Sequence, residues 1–583
     1  MNFLKGVLAT LVGLIIFCAL IFFITVGIGS AIASGDKIVV KDNSVLHIRL
    51  DKPITEREIT DPFLILTGQG EGSYSLHKLK SAIRKAAKDP SIKGILLEPA
   101  SSAGGYASLR ELRKTLLEFK ETDKFIIAYD EILTERGYYL ASVADEIYLS
   151  PEGMMELDGF SATVTFFQGT LEKLNVKPYV FKVGEFKSAV EPYLRKDMSP
   201  ASRLQTEIFL NGMFDTYVSD VSESRGIEKE KIYNIADSMM VRNGADAVEF
   251  GLISSIKYHD EVMAELRSRL GEDEDDDINS IGISDYQKLS SDFKMSDNKV
   301  AVLIANGAIM SGNDDNPEII TSGALVKEIK KLREDDNVKA VVLRVNSPGG
   351  SALASDVIWR EIEMLKKKKP VIASMGDVAA SGGYYISTGC DTIVAEPNTI
   401  TGSIGIFGLW LYAGEGLEKH LGITTDNVTT GKFSDLFSRN KELTPYEESI
   451  FQDMVEEGYD TFTSKVAEGR GLSQDSVKAI GSGRVWIGTD AKEIGLVDVL
   501  GGVDTAIEIA AEKAGISDDY KVSIYPYKKK KFIEELMTGL ADEASVKARK
   551  EELGVLAPFM DAIEQLQTRS GIQARAPFDI EIN

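Results

Sequence analysis

The chain has 583 residues, 43% of them hydrophobic and 27% charged, which suits two to four domains with ordinary globular cores. A formal net charge of −24 leaves no basic surplus to neutralise phosphates and argues against nucleic acid as a partner. Two distant cysteines, Cys18 and Cys390, exclude a disulfide framework, and four histidines (His47, His77, His259 and His420) leave few candidates for histidine chemistry.

Residues 6–35 carry no charge, and 7–28 form a continuous, largely aliphatic run. As a helix those 22 residues would extend roughly 33 Å, against about 30 Å for a bilayer core. A cleaved signal peptide would have a shorter apolar region of about 7–15 residues, although Ala31-Ile32-Ala33 offers a small-residue cleavage pattern. The expectation is a single transmembrane anchor over 1–35. Lys5 before the span and Asp36 after it place the N-terminus in the cytoplasm and the body outside.

The rest of the chain repeats itself. Ile92-Lys93-Gly94-Ile95-Leu96-Leu97 resembles Val338-Lys339-Ala340-Val341-Val342-Leu343 at an offset of 246. A glycine pair follows each run, Gly104-Gly105 and Gly349-Gly350. Helix-spaced apolar residues come next: Leu109, Leu112, Leu116 and Phe119 in one copy, Ile358, Ile362 and Leu365 in the other. Strand-like runs follow at Phe125-Ile126-Ile127-Ala128 and Val371-Ile372-Ala373-Ser374, then Gly137-Tyr138-Tyr139 and Gly383-Tyr384-Tyr385 at the same offset. Two homologous α/β domains are expected, over 37–265 and 297–515, each with a largely parallel sheet. An acidic linker (266–296, with its charge run at 272–277) separates them, and a charged tail covers 516–583. The lysines at 528–531 read as a solvated face, with anionic lipid as the other reading.

Three glycine-rich stretches carry the chemistry. Asp377-Val378-Ala379-Ala380-Ser381-Gly382-Gly383 follows a strand and opens a helix. Ser381 there could be an N-cap, or a nucleophile beside amides that hold an oxyanion. Asn346-Ser347-Pro348-Gly349-Gly350-Ser351 leaves the end of another strand, as a simple turn or as the second wall of that oxyanion hole. In Thr401-Gly402-Ser403-Ile404-Gly405, Ser403 could orient a base or satisfy a local turn. A serine needs a base, and no histidine lies in these motifs. H-E-x-x-H and C-x-x-C are both absent, which disfavours a zinc hydrolase. A buried lysine can serve instead. The repeat narrows the choice: aligning Gly184 with Gly431 and Phe186 with Phe433 sets Lys187 opposite Ser434, and the Gly-Tyr-Tyr register sets Glu135 opposite Ser381. Lys432 competes from two residues off register.

Taken together, these motifs and Gly184-Glu185-Phe186-Lys187-Ser188-Ala189 resemble the signal peptide peptidase A (protease IV) family in its long two-domain bacterial type. The resemblance implies a Clp-protease/crotonase-like fold in each half, so an α/β tandem repeat preceded by one transmembrane helix. It implies a serine endopeptidase, needing no metal or cofactor, that digests remnant signal peptides and other apolar fragments. Such an enzyme would sit at the bacterial inner (cytoplasmic) membrane with its body on the periplasmic side, as a homo-oligomer, tetrameric in this type. Carried over by motif, Ser381 is the nucleophile, Lys187 the general base, and Ser403 the residue that holds the lysine. The amides of Gly350 and Gly382 are the oxyanion-hole candidates. Two other classes stay open: a crotonase-like acyl-thioester enzyme, disfavoured because coenzyme A is cytoplasmic, and a non-catalytic membrane-surface scaffold.

Overall fold

The structure is a computed structural model that describes residue 13 and residues 38–58, 72–100, 103–273, 276–289, 296–314, 316–438, 441–526 and 571–576. The expected N-terminal anchor lies outside these residues, apart from the single position 13, and so do the lysines at 528–531. Among the described residues no helix is long and apolar enough to cross a membrane.

In the first half, β1 (Ser44–Arg49), β2 (Ile92–Glu98), β3 (Phe125–Leu133) and β4 (Glu146–Met155) are parallel neighbours. Strand β5 (Lys177–Lys182) leaves this sheet, while β6 (Ser255–Ile256) and β7 (Ser280–Gly282) form its edges, giving the order β6-β4-β3-β2-β1-β7. Helices α1 (Leu76–Lys88), α2 (Tyr106–Lys120), α3 (Glu135–Ala141) and α4 (Pro200–Arg225) pack around it. Ile95, Leu97, Ile126 and Ala128 are fully buried in one core, and Leu96 and Ile127 in another on the opposite face. That two-sided burial is why these runs are continuously apolar rather than alternating. Leu109, Leu112, Leu116 and Phe119 form the buried stripe of α2.

The second half continues through β8 (Lys299–Asn306), β9 (Ala308–Met310), β10 (Ile319–Thr321), β11 (Val338–Ser347), β12 (Gly349–Ser351) and β13 (Val371–Ala380). Then come β14 (Thr392–Ala395), β15 (Ile400–Gly402), β16 (Phe407–Tyr412), β17 (Val485–Ile487), β18 (Val499–Leu500), β19 (Lys521–Tyr525) and β20 (Gly571–Arg575). Its helices include α5 (Ala352–Lys366), α6 (Gly382–Ser387), α7 (Gly414–Leu421) and α8 (Val503–Lys513). The main sheet has the order β17-β15-β13-β11-β8-β19, with β14 and β18 branching from β13. A third sheet, β10-β9-β12-β20-β16-β5, draws strands from both halves. It sets β5, the strand that leads to Lys187, antiparallel to β16 of the serine half.

Two stretches differ from the linker-and-tail reading. Beyond the acidic run, β7 pairs with β1, and Ile281, Ile283 and Tyr286 are buried in the first core. The charge run masked those apolar residues. Similarly β19 lies beyond residue 515 but extends the second sheet beside β8.

The halves are locked together by ion pairs. Arg344, almost fully buried, meets Glu56 at 2.6 Å and Glu111 at 2.7 Å. Lys80 bridges Glu111 (2.6 Å) and Asp504 (2.7 Å), and Arg110 bridges Asp220 (2.8 Å) and Glu396 (2.6 Å). Asp377 of the second half accepts hydrogen bonds from the Ser108 amide (2.9 Å) and hydroxyl (2.7 Å), capping α2 from outside its own repeat. Such buried charges fix register more than they add net stability.

Candidate active site

Ser381 sits at the sharp turn from β13 into α6, with φ 54° and ψ −112°, a conformation that strains any residue with a Cβ. Its amide donates to the Gly402 carbonyl at 2.8 Å, and its carbonyl accepts from Tyr385 N at 2.8 Å. The turn is therefore held on both sides, and the side chain is fully buried. Ser381 caps no helix amide with its hydroxyl, so the N-cap reading does not describe it.

Lys187 comes from the first half, on the loop after β5. Gly184 makes that loop possible: its φ is +102°, and a Cβ there would stand 2.3 Å from the backbone of Ser482. Phe186 N donates to Ser482 O at 3.0 Å. On α4, Gln205 donates to Phe186 O (3.0 Å) and Ser188 Oγ (2.8 Å), and its own oxygen accepts from Val485 N (3.2 Å). The lysine loop is thus tied to β17 of the other repeat.

The two side chains meet. Lys187 Nζ lies 2.9 Å from Ser381 Oγ, 3.0 Å from Ser403 Oγ and 3.1 Å from the Ser403 carbonyl oxygen. Lys187 is completely buried, and burial alone pushes its pKa well below the ordinary lysine range. The absence of a carboxylate among the causes of that shift matters, because desolvation then favours the uncharged amine. A neutral amine has two N–H bonds and one lone pair. The hydrogens can serve Ser403, leaving the lone pair for the Ser381 hydroxyl. Ser403 is itself fixed by its amide, which donates to Arg484 O at 2.7 Å.

On the other side of Ser381, the Gly349 amide donates to Ser347 Oγ at 3.1 Å. Gly350, the oxyanion candidate named with Gly382, lies on β12 and is paired with Ala574 of β20. A Cβ on Gly349 would come within 2.6 Å of the Gly382 nitrogen, so β12 and the start of α6 are in close approach. A cavity of about 400 Å³ continues from here, lined by Pro348, Val378, Met213, Val485 and Ala576 among others.

The competing residues lie elsewhere. Lys432 is exposed, 5.2 Å from the Phe433 ring, and the Ser434 hydroxyl accepts from Gly431 N in an exposed turn. His420 bonds Asn175 on the surface of α7, and His47 faces Glu98 at 3.2 Å. His77 is half-buried, its pKa pushed down to about 4 by desolvation and by Lys80. Glu135 opens α3 in the place where Ser381 opens α6. Its Oε1 accepts from Asp158 N (3.0 Å) and Gly159 N (2.9 Å), and burial raises its pKa to about 7.

Sequence reasoning missed Gly483, Gln205 and β20. A Cβ on Gly483, whose φ is +78°, would stand 2.6 Å from Lys187 Cβ. Only the spatial approach reveals that role; the Ser482-Gly483-Arg484 stretch reads as a plain turn.

Peptidase family S49 matches the chain twice, over residues 118–272 and 363–517, and Clp protease matches over 294–399. The chain is similar to "Serine protease SPPA, chloroplastic" from Arabidopsis thaliana, with 32% identity over 92% of this chain and 78% of the relative. It is similar to "Protease 4" from Salmonella typhi, 36% identical over 85% of this chain and 82% of the relative. "Putative signal peptide peptidase SppA" from Enterococcus faecium is 36% identical over 38% of this chain and 66% of its own length.

Proposed function

The chain belongs to peptidase family S49 and is a serine protease with two ClpP-like S49 repeats, and from that premise we propose that it digests remnant signal peptides with a Ser381–Lys187 dyad. The reading rests on the 2.9 Å approach of a fully buried Lys187, its pKa pushed down by burial, to the Ser381 hydroxyl. Lys187 takes the hydroxyl proton as Oγ attacks a peptide carbonyl. The Gly350 and Gly382 amides hold the oxyanion. Ser403 keeps the amine aimed at Ser381. As the C–N bond breaks, Lys187 returns the proton to the leaving amine, and an acyl-enzyme remains. Water then attacks that ester with Lys187 again as base.

The apolar N-terminus would anchor the enzyme beside its membrane-borne fragments, with the body on the periplasmic side of a bacterial inner membrane and a tetrameric assembly. The thioester and scaffold readings fall with the family assignment. Ser381→Ala and Lys187→Ala, made separately, are each expected to lower kcat/KM on an apolar, unstructured peptide by about 10⁴-fold or more. Full activity in either variant would remove the dyad from the mechanism.

A further inference from the structure

Three segments of the site converge on the turn at residues 482–484. Gly483 N donates to Ile404 O, one residue past Ser403, at 2.8 Å. The Ser403 amide donates to Arg484 O at 2.7 Å, and from the first half Phe186 N donates to Ser482 O at 3.0 Å. A Cβ on Gly405 would stand 2.8 Å from Gly483 Cα and 3.2 Å from Lys187 Cδ, and one on Gly483 would stand 2.6 Å from Lys187 Cβ. Lys187 and Ser403, 216 residues apart, are therefore built onto one short stretch of backbone.

The side chain of Arg484 adds a second tie. Its guanidinium carbon lies 5.3 Å from the centre of the Phe186 ring and 4.0 Å from that of Trp486. Phe186 immediately precedes Lys187 in the chain. Trp486 is on β17 and pairs with Thr401 of β15, two residues before Ser403. One flat cation thus spans the lysine loop and the strand pair that leads to Ser403. On a chain of net charge −24 an arginine has carboxylates to choose from, and Arg84, Arg110, Arg344 and Arg470 each meet one at 2.5–2.8 Å. Arg484 instead keeps its Nε buried and without a hydrogen-bond partner. A buried donor left unpaired opposes folding, so fold stability does not by itself account for an arginine here. Its reach to both rings does.

We propose that Arg484 is a positioning residue for the dyad: its carbonyl fixes Ser403 and its guanidinium fixes Phe186, so that the Lys187 amine is held at hydrogen-bond distance from both serines. The inference rests on the dyad reading above. Without the guanidinium the lysine loop keeps its backbone bond to Ser482 but loses its side-chain clamp, and Nζ drifts out of line with Ser381 Oγ. A misplacement of about 1 Å costs about 10²-fold in rate. Looser packing also admits water to Lys187. Desolvation is the cause of its depressed pKa, so hydration raises that pKa and activity is lost at a higher pH on acidification.

The test is steady-state hydrolysis of an apolar, unstructured peptide across pH by the full-length chain in detergent, as wild type, Arg484→Ala, Arg484→Lys, Phe186→Leu and Lys85→Ala. Lys85 lies 4.7 Å from the centre of the Tyr286 ring, a cation–ring pair in the first half's core, and serves as the structural control. Arg484→Ala is expected to lower kcat by about 10–100-fold with KM within about twofold of wild type. Its acid limb of kcat/KM moves up by about one pH unit. Arg484→Lys, which keeps a cation but not the flat stack, recovers part of both. Phe186→Leu reproduces the alanine pattern and carries the test alone should Arg484→Ala not fold. Lys85→Ala lowers the Tm without moving kcat or the acid limb. If Ser381→Ala and Lys187→Ala are inactive while Arg484→Ala and Phe186→Leu lose only stability, with kcat and acid limb unchanged, the proposal is overturned. Hydrolysis that survives Ser381→Ala or Lys187→Ala overturns the dyad reading instead.

Discussion

Glu135 and Ser381 stand at the same point of the repeat, each opening the short helix that follows a central strand. The surroundings of the two have diverged. Ser381 is held by backbone at a strained turn and faces an amine from the other half. Glu135 turns its carboxylate onto two amides of its own half. One position keeps a reactive group available to a partner, and the other consumes its polar group in local structure. The lysine position diverged in the opposite sense: Lys187 is buried and essential to the geometry, whereas its counterpart Ser434 is in an exposed turn. The two side chains that meet come one from each half, across the seam.

Replacing Lys187 with Met would break this comparison most severely. Activity should fall by about 10⁴-fold or more, the scale for losing a nucleophile's base. Stability should move the other way. A lysine whose folded pKa is depressed binds fewer protons when folded, so stability falls as pH drops below about 10.4, until the folded pKa is passed. Met carries no such cost, and a higher Tm at pH 7 in calorimetry is the expected sign. The same depressed pKa sets the acid limb of kcat/KM: activity is lost as pH falls through it, and in Ser403→Ala that limb shifts.

Gly483→Ala tests the seam from the second half. Its Cβ would collide with Lys187 at a backbone φ of +78°, so a loss of about 10–100-fold in kcat is expected, with KM less affected.

Glu135→Gln asks whether the first half's position is purely structural. The Glu135 pKa is raised to about 7, so the folded state favours the protonated acid. Its contribution is full below about 4.5 and is lost as pH rises toward 7. The Gln variant, which can still accept both amides, should match wild type near pH 4 and gain about 1–3 kcal/mol at pH 8 in denaturant titrations. The kcat should not change.

Asp377→Ala is expected to have the smallest effect. It removes the cap that the second repeat gives α2, at a cost of about 1 kcal/mol in urea unfolding.

Much of this site was legible because it is local. The strand–turn–helix around Ser381 is written in consecutive residues, and aligning Gly184 with Gly431 exposed Lys187 by register. The tandem α/β repeat was legible for the same reason: two-sided burial makes the centres of these strands, 95–97 and 340–343, continuously apolar. What escaped is non-local. Gln205 ties the lysine loop to Val485 across 280 residues, and no sequence pattern announces that contact. The edge strand Ser280–Gly282 was hidden behind acidic neighbours, although Ile281 and Ile283 could have revealed it. Residues 571–575 fill the gap between β12 and β16, two strands far away in the sequence.

That gap makes a demand on whatever fills it. A chain between β12 and β16 must offer free backbone donors and acceptors along both edges at once. Helices have already spent theirs, and strands within a folded sheet have spent at least one side. The gap therefore suits a segment by its conformation before any side chain counts: one whose backbone groups are free along both edges, as in β20. A proline placed between the two strands would lack the N–H that one edge requires.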